Sequence, residues 1–451
     1  MRDGRLRFWL ALAALVLFGR MFQTEVLWAE EGLPLAVAQQ MLGGGSLYRD
    51  IWFDKPPLLA WFYVGVLKLA GYSGYGLRLI GVVYILAVVV TGYSLVRRLD
   101  GEPAARWTAF FLAFFTCFYV PSATVPLAAD LLLVLPHLGT FWLLASGRPL
   151  WAGVVAGLAF HLNTKAVLVV AAGALAMGQV RLLLAGFWLG GLAGLAACGS
   201  LDGYWEQVWR WGAAYAGAAF TEHPWRLGVE RTLAWMGFHA ALVVGMAAKR
   251  ERRTLVWVAV SLAAVVLGAR FFPRYYFQVL PGLAVAAGIG WAELVERRRA
   301  WAAVLVVLLA IPAIRFGRTR PRDTAMDADS RRAAAVVARL AAPEERIFVW
   351  GFRPEIYYYA RRLGASRYLE SQPLTGVLAD RHLERSEAFR PDWVAGHRWL
   401  LERELVARRP AVVVDGLGPY NGRLEIPPSL LAGYRLAAWT EGAKIYKREE
   451  F

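Results

Sequence analysis

The sequence predicts an α-helical membrane protein that crosses the bilayer many times and carries a small α/β domain at its C-terminal end. The first observation is composition: 58% of the 451 residues are hydrophobic and only 19% are charged, which is more apolar surface than a soluble chain of this length buries. The second is a series of apolar runs between residues 8 and 316. The third is a change, from about residue 318, to charged sequence with alternating β-like and helical patterns.

Charge and cysteine content exclude several classes of protein. The formal net charge of +16 falls largely in short basic clusters between apolar runs. Such clusters follow the positive-inside rule and set topology, so we expect no nucleic acid among the partners. The two cysteines, Cys117 and Cys198, lie in apolar runs, which excludes a disulfide framework and a cysteine-based metal site.

The first apolar run, residues 8–22, follows three arginines and has no small-residue cleavage site after it. It is interpreted as an uncleaved signal anchor that enters from the cytoplasm. The basic clusters that should face the cytoplasm are Arg97 with Arg98, Arg148, Arg181, residues 249–253 and residues 297–299. The other apolar runs are 57–71, 77–96, 106–121, 129–146, 150–163, 166–179, 182–199, 231–248, 254–269, 275–295 and 300–316.

The run 57–71 is predicted to be an interfacial or re-entrant helix. A full span here would place Arg97 and Arg98 on the wrong side of the membrane, and the run is short for a bilayer that needs roughly 20 residues. About eleven spans then remain. The pattern at 150–179 fits either two short spans or one broken hairpin.

This topology divides the chain into a transmembrane domain, residues 1–317, and an extracytoplasmic α/β domain, residues 318–451. Residues 23–76 become one long outer loop. The loop begins with an apolar helical pattern at 33–41, which the glycines at 43–45 end. We expect this amphipathic helix to lie along the outer leaflet.

The C-terminal domain combines strand and helix patterns in alternation, as α/β domains do. Its predicted strands are 346–350, 411–415 and 444–447, and its predicted helices are 330–342 and 355–363. The segment "DADSRR" at 327–332 matches an Asp-x-Asp metal pattern. It directly precedes a helical run, so N-capping by Asp329 or Ser330 explains it and no metal site is predicted.

Acids and bases gather at one depth, the outer ends of the predicted spans. They are Glu30, Glu31, Asp54, Lys55, Asp130, "HLNTK" ending in Lys165, Asp202, Glu206, and "ARFFPRYY" with Arg270, Arg274 and Tyr275.

Each of these residues has an ordinary explanation beside a functional one. Glu30 and Glu31 suit the N-terminus of any surface helix, or they provide a general base. Lys55 can be a snorkelling lysine, but the two prolines after it fix the backbone as a positioned phosphate ligand requires. Asp130 can cap a helix, although an acid at a membrane edge is costly unless it is paired. Lys165 can also be a cap, and the two arginines can snorkel.

The order of these residues resembles a known family. An acidic pair, a helix, "YRDIWFDKPPLLAW", a span ending in Arg-Arg, an acid after the third span and "RFFPRYYFQVLP" are similar to polyprenyl-phosphate-dependent glycosyltransferases of the GT-C fold. That group includes protein O-mannosyltransferases and the lipid A aminoarabinose transferase. The segments "FVWGFRPEIYYYARRLGASRYL" and "AVVVDG" resemble the outer domain of bacterial members.

The resemblance implies roles for individual residues. Glu30 takes the position of the catalytic first acid, followed by Glu31, and Asp130 matches the acid of the second outer loop. Lys55, after Asp54, matches the lysine associated with the lipid phosphate. The family's Arg…His-Tyr pattern appears as Arg270 and Arg274-Tyr275, with arginine in place of histidine. Lys165 is assigned to donor binding from its place among the outer-face charges, not from the resemblance.

The function implied is transfer of a sugar from a polyprenyl-phosphate donor to an acceptor hydroxyl at the outer face of the cytoplasmic membrane. No pyrophosphate has to be neutralised, so the reaction is expected to need no metal and no cofactor. The expected partners are the lipid-linked donor, membrane lipid, and a glycan, lipid or protein acceptor. The alternative is a transporter or flippase of lipid-linked sugars, although the sequence shows no internal repeat of the kind transporters have. A membrane scaffold is a third possibility, but it does not account for the gathered charges.

Overall fold

The computed structural model describes residues 2–22, 24, 26–217, 221–318, 323–377 and 391–449. The part before residue 319 is helical. Its helices are α1 (Arg2–Met21), α2 (Ala29–Leu42), α3 (Pro57–Ala70), α4 (Gly74–Phe115), α5 (Pro121–Thr124), α6 (Ala129–Leu132), α7 (Val134–Ala145), α8 (Pro149–Phe160), α9 (Ala166–Met177), α10 (Val180–Leu195), α11 (Leu201–Tyr204), α12 (Trp211–Gly217), α13 (Pro224–Phe238), α14 (Ala240–Ala248), α15 (Arg252–Val266), α16 (Leu280–Arg297) and α17 (Ala300–Arg318). A π-helical turn covers Trp205–Arg210 and a 3₁₀ turn covers Pro273–Gln278.

The longest helix, α4, consists of two limbs joined at Gly101. Gly101 has φ 85° and ψ −177°, a conformation that side chains disfavour and glycine adopts freely. Gly92 packs so closely against Leu112 that a Cβ added to Gly92 would lie 2.1 Å from Cδ1 of Leu112. The two limbs therefore run side by side, and they correspond to the separate runs predicted at 77–96 and 106–121.

Among the described residues, two helices, Gly74–Phe115 and Ala300–Arg318, are long and apolar enough to cross a bilayer by length and composition alone. The same part of the chain has shorter apolar helices, including α3, α8, α9 and α10. The count of about eleven spans stays a prediction. The region predicted at 150–179 forms two helices of 12 residues each, α8 and α9.

Helices α8 and α10 pack backbone against backbone through glycine. A Cβ on Gly153 would lie 2.1 Å from the carbonyl oxygen of Leu183, and one on Gly186 would lie 2.0 Å from that of Leu150. Such close approach through small residues is typical of helix pairs in membranes, where apolar side chains gain little by leaving lipid.

The helical part has two polar ends. At one end Asp100, Glu251 and Arg253 line a single cavity of about 410 Å³ together with Met177, so the predicted cytoplasmic cluster at 249–253 meets the chain just after Arg97 and Arg98. Helix α9 ends there at Met177 and begins beside Lys165. Because helix α9 joins this cavity to Lys165, the polar residues around Lys165 lie at the opposite end.

Helix α2 differs from the prediction. It forms as expected and ends at Gly43, but residues from Glu31 to Gln40 are all buried, against α3 on one side and the C-terminal domain on another. The prediction that it lies along the outer leaflet is wrong, because the C-terminal domain covers the face that lipid was expected to cover. Helix α3 has 14 residues, about 21 Å at the usual rise, and its interfacial or re-entrant position stays a prediction.

The part after residue 322 forms a mixed four-stranded sheet with helices. Its elements are α18 (Asp323–Leu340), β1 (Ile347–Trp350), α19 (Glu355–Ala360), α20 (Gln372–Thr375), α21 (Pro391–Arg408), β2 (Val412–Asp415), β3 (Tyr434–Trp439) and β4 (Lys444–Arg448). The strand order is β1-β2-β4-β3, with β1 parallel to β2 and the other pairs antiparallel. Every residue of β1 and β2 is buried, as expected for strands covered on both faces.

The segment "DADSRR" lies within α18, which begins four residues before it, so the prediction of an N-cap at Asp329 or Ser330 is wrong. Asp329 instead accepts hydrogen bonds from Thr440 and from the backbone of Gly442. It also forms an ion pair with the buried Arg353 at 2.9 Å. These contacts fix α18 to the end of the sheet.

Candidate active site

Five of the predicted site residues meet at the end of the helical part opposite the cavity lined by Asp100 and Arg253. They are Glu30, Asp130, Lys165, Arg274 and Tyr275. Glu30 stands in the first turn of α2, and Asp130 lies in the short helix α6. The 3₁₀ turn that opens at Pro273, whose ring fixes φ as the first residue of such a turn requires, carries Arg274 and Tyr275.

Arg274 bridges two carboxylates. Its Nη1 donates a hydrogen bond to Oε1 of Glu30, and its Nε lies 3.9 Å from Oδ2 of Asp130. The side chains of Glu30 and Arg274 keep 24% and 30% of their surface accessible. A carboxylate that is paired but still reachable from solvent suits a group that must meet a substrate.

Asp130 is buried and surrounded by donors. Its Oδ1 accepts hydrogen bonds from Nδ2 of Asn163 and Nζ of Lys165, both at 3.2 Å, and from Nε2 of Gln278 at 3.4 Å. The N-cap of α6 is Ala128, so Asp130 is not a helix cap. Because Asp130 is paired with these donors, its carboxylate is tolerated at a membrane edge.

Lys165 and Tyr275 form a cation–π contact, with Nζ of Lys165 3.4 Å from the ring centroid. The backbone N–H of Lys165 donates a hydrogen bond to Oδ1 of Asn163 at 3.1 Å. Lys165 therefore has its ammonium fixed by Asp130 and an aromatic face together, and it is held in place more firmly than a snorkelling lysine.

Lys55 stands beside this cluster with its ammonium accessible. Its Nζ is 2.8 Å from both carboxylate oxygens of Asp54, and its side chain keeps 47% of its surface accessible. The backbone is held by the hydroxyl of Tyr48, which donates to the Lys55 carbonyl at 2.7 Å. Burial acts to lower the pKa of Lys55, but the charges of Asp54 and Glu370 outweigh it and raise that pKa above its usual value. The lysine is thus a fixed cation at neutral pH.

Tyr215, in α12, connects the two groups of charges. Its phenol interacts electrostatically with Arg270, Arg274 and Asp54. Arg270 is buried, donates from Nη2 to the Tyr215 carbonyl at 2.7 Å, and lies over the Tyr215 ring at 3.8 Å. The structure therefore brings Arg270 to the same region but places it behind Tyr215.

Glu31 points away from the cluster. Its carboxylate accepts two hydrogen bonds from Arg78, at 2.7 and 2.8 Å, and one from the backbone N–H of Leu127 at 3.1 Å. The side chains of Glu31 and Arg78 are 0% and 1% exposed. Because every oxygen is occupied and water is excluded, this position favours a structural role for Glu31 rather than the catalytic role predicted for it.

A cavity of about 570 Å³ lies on the Arg78 side of α2, between the helical part and the C-terminal domain. It is distinct from the Glu30 cluster. Its lining includes Tyr72, Tyr75, Arg78, Asp327, Arg331 and Tyr358.

Comparison with known proteins identifies the fold. Residues 54–201, which contain Asp54, Lys55, Asp130 and Lys165, match the family model of dolichyl-phosphate-mannose-protein mannosyltransferases. No curated protein matches the chain in sequence. The structure is similar to that of ArnT from Cupriavidus metallidurans bound to undecaprenyl phosphate, with 14% identity and a TM-score of 0.63 over 99% of this chain and 98% of ArnT. The chain has the GT-C glycosyltransferase fold.

Two further GT-C structures resemble it. The oligosaccharyltransferase of Archaeoglobus fulgidus has 12% identity and a TM-score of 0.53, over 98% of this chain and 73% of that one. The mycobacterial arabinofuranosyltransferase AftD has 17% identity and a TM-score of 0.51, over 98% of this chain and 41% of the AftD chain. The family match and the GT-C fold indicate a glycosyltransferase, so the resemblance and the class of enzyme predicted from the sequence are confirmed.

Several residues in or near this candidate site were missed by sequence reasoning. Arg78 had a readable signal, because an arginine inside an apolar run demands a partner. Gln278 and Tyr215 carry no charge, and neither stands out among the aromatic and amide residues around it. Glu370 lies in the C-terminal domain, far along the chain from Lys55, and only the folded structure brings the two together.

Proposed function

We propose that this protein transfers a sugar from a polyprenyl-phosphate donor to an acceptor hydroxyl. The observation that carries the proposal is the pairing of the accessible Glu30 with Arg274, in one cluster with the accessible cation Lys55. One cluster would thus supply both a base for the acceptor, Glu30, and cations for the phosphate, Lys55 and Arg274. The donor class is supported by the similar fold of ArnT, which was solved with undecaprenyl phosphate bound.

In the proposed reaction the acceptor hydroxyl attacks the anomeric carbon of the donor sugar. Glu30 takes the hydroxyl proton as the new carbon–oxygen bond forms. The bond between the anomeric carbon and the phosphate oxygen breaks, and its electron pair leaves with polyprenyl phosphate. A positioned base contributes on the order of 10²–10⁴-fold to such a step.

Lys55 and Arg274 would hold the phosphate as its negative charge grows. Charge-assisted hydrogen bonds are strong where water is partly excluded. The chain's own cations would supply this stabilisation, with no metal taking part. Arg270, behind Tyr215, would support the site electrostatically.

Arg274 gives the site a way to release its base. Without substrate it is paired with Glu30, which keeps the carboxylate in place. An arriving phosphate competes for the guanidinium, and Asp130, 3.9 Å from the Arg274 Nε, keeps the arginine in the cluster. Glu30 is then free to accept the proton of the acceptor.

The proposed location is the cytoplasmic membrane, with the cluster and the C-terminal domain at its outer face. The predicted cytoplasmic cluster at 249–253, whose Arg252 and Arg253 line the opposite cavity, supports this orientation under the positive-inside rule. The isoprenoid chain would lie in lipid beside α3 and the outer ends of the spans. The acceptor would be a glycan, a lipid or a protein, and the donor sugar a hexose or pentose.

The test uses the purified protein in lipid bilayer discs, a panel of polyprenyl-phosphate sugars and a membrane extract that supplies acceptors. Release of polyprenyl phosphate is compared for the wild type, Glu30→Gln and the control Glu206→Gln, whose carboxylate pairs with Arg210 at 3.1 Å. The proposal is supported if the wild type and the control release polyprenyl phosphate and Glu30→Gln does not.

Release that persists in folded Glu30→Gln would remove Glu30 as the base and direct the test to Asp130. If the wild type moves intact donor across a vesicle membrane and releases no polyprenyl phosphate, the protein is a flippase and the proposal is wrong.

A further inference from the structure

The C-terminal domain packs directly on the loop that carries Lys55. The backbone N–H of Trp52 donates to the carbonyl of Arg367 at 2.9 Å. The Trp52 ring lies 5.8 Å from the ring of Tyr368 and 4.7 Å from that of His397, and the hydroxyl of Tyr368 is bonded to His397 Nδ1 at 2.8 Å. The segment after Tyr368 is therefore fixed against the loop rather than free in solution.

This segment brings a carboxylate to the loop that carries the phosphate ligand predicted from the sequence. Glu370 is 8% exposed and interacts electrostatically with Asp54 and Lys55. Its Oε1 accepts a hydrogen bond from Nε2 of Gln372 at 2.6 Å. A second acid beside the Asp54–Lys55 pair is unexpected in a site meant for an anion, because an ionised carboxylate would repel it.

The environment of Glu370 resolves this conflict. Burial and the negative charge of Asp54 raise the pKa of Glu370 to about 7, although Lys55 and the Gln372 amide act to lower it. In the described part of the chain, Asp54 and Lys55 are the charged groups that act on Glu370 from the loop, with Arg274 beyond Lys55. A phosphate bound at Lys55 adds negative charge close by and increases the affinity of Glu370 for a proton.

We propose that Glu370 completes the phosphate site of Lys55 and carries a proton when polyprenyl phosphate is bound, so that a carboxylic acid and an ammonium hold the phosphate together. The proposal rests on the proposed function. The protonated carboxyl donates a hydrogen bond to a phosphate oxygen and keeps its proton. In the donor the phosphate is a diester with one negative charge. After transfer it is a monoester that carries nearly two, so the acid supports the product more than the donor.

Linkage gives the direction of the pH effect. If binding requires a proton on Glu370, affinity for polyprenyl phosphate is full below the pKa of the free carboxyl and falls as pH rises above it. The fall approaches about tenfold per pH unit, because one proton is taken up per phosphate bound. Glu370→Gln keeps a hydrogen-bond donor at this place but cannot ionise, so its affinity should stay level over the same range.

The experiment measures binding of undecaprenyl phosphate to the full-length protein in bilayer discs by calorimetry. The pH is varied between about 6.5 and 9 in steps of about half a unit. Buffers of different ionisation enthalpy report the protons taken up. The control is Glu402→Gln, an exposed glutamate of α21 in the same domain, which should behave as the wild type. We expect proton uptake and a falling affinity for the wild type and the control, and neither for Glu370→Gln.

A purely structural role for Glu370 would weaken binding equally at every pH, so the profile separates the two. If wild type and Glu370→Gln share one pH profile while sugar transfer proceeds, the inference about Glu370 is wrong and the proposed function stands. If the wild type neither binds undecaprenyl phosphate nor releases it from any donor, both are overturned.

Discussion

The two adjacent glutamates of α2 are expected to respond in opposite ways when each is replaced by glutamine. Glu31 and Arg78 are fully buried and joined by two hydrogen bonds of 2.7 and 2.8 Å. Replacing one partner of a buried ion pair leaves an uncompensated charge and costs about 3–5 kcal/mol. Since the glutamine oxygen still accepts one bond, Glu31→Gln should lower the free energy of unfolding by about 3 kcal/mol, the lower end of that range.

Glu30→Gln should cost much less stability. Its ion pair with Arg274 is partly accessible, and accessible pairs contribute only about 0.2–1 kcal/mol. Its effect falls on the reaction instead: loss of the base should slow polyprenyl phosphate release by about 10²–10⁴-fold. Folded Glu31→Gln should retain most of its activity, because its carboxylate does not face the cluster.

The assay combines equilibrium unfolding in mixed micelles with activity per folded molecule. Arg78→Met in the Glu31→Gln background provides a matched control. It removes the charge left unpaired by the first substitution and should recover most of the lost stability, as neutral replacements of buried pairs do. Glu31→Gln protein that is as stable as the wild type but inactive would refute the reasoning, because it would show that the buried carboxylate serves the chemistry.

Three further predictions concern donor binding, metal and the domain contact. Lys55→Ala should raise the donor KM by about 10–100-fold, the worth of one hydrogen bond to a charged group, and Lys55→Arg should restore part of it; equal KM values in steady-state kinetics would contradict this. Polyprenyl phosphate release should continue in excess chelator, and a loss that added divalent metal reverses would show that a metal is required. Trp52→Ala should destabilise the protein by about 3–5 kcal/mol, as loss of a buried tryptophan does, and expose the C-terminal domain to protease. The exposed Trp439→Ala should change stability by less than about 0.5 kcal/mol, so similar shifts in thermal unfolding for both would argue against the packing role of Trp52.

Much of the fold could be read from the sequence because its signals are local. Apolar runs fixed the helices, and the β-branched segments at 346–350 and 411–415 became β1 and β2. Strand β3 was missed because its side chains are largely exposed, and an edge strand without an apolar face has little pattern to detect. The surface position predicted for α2 failed because no local signal shows that a distant domain covers a helix.

For the candidate site, the sequence predicted which charged residues lie near one another but not how they pair. The gathering of Glu30, Lys55 and Asp130 followed from topology, which puts alternate loops on one side of the membrane. Which charge pairs with which did not follow, because partners are chosen by side-chain direction within a turn. Glu30 and Glu31 are neighbours in sequence, yet they point to Arg274 and Arg78 on different sides of α2.

The contacts of the C-terminal domain explain how two groups so far apart in the outer loop can act on one substrate. Asp327 in α18 accepts a hydrogen bond from the backbone N–H of Leu27 at 3.1 Å, three residues before Glu30. Arg367 accepts one from Trp52 at 2.9 Å, three residues before Lys55. The same domain therefore holds the chain just ahead of the proposed base and just ahead of the proposed phosphate ligand. Because both anchors belong to one sheet-based body, the distance between base and phosphate ligand is set by that body rather than by the loop, and loosening either anchor should impair transfer before it unfolds the helices.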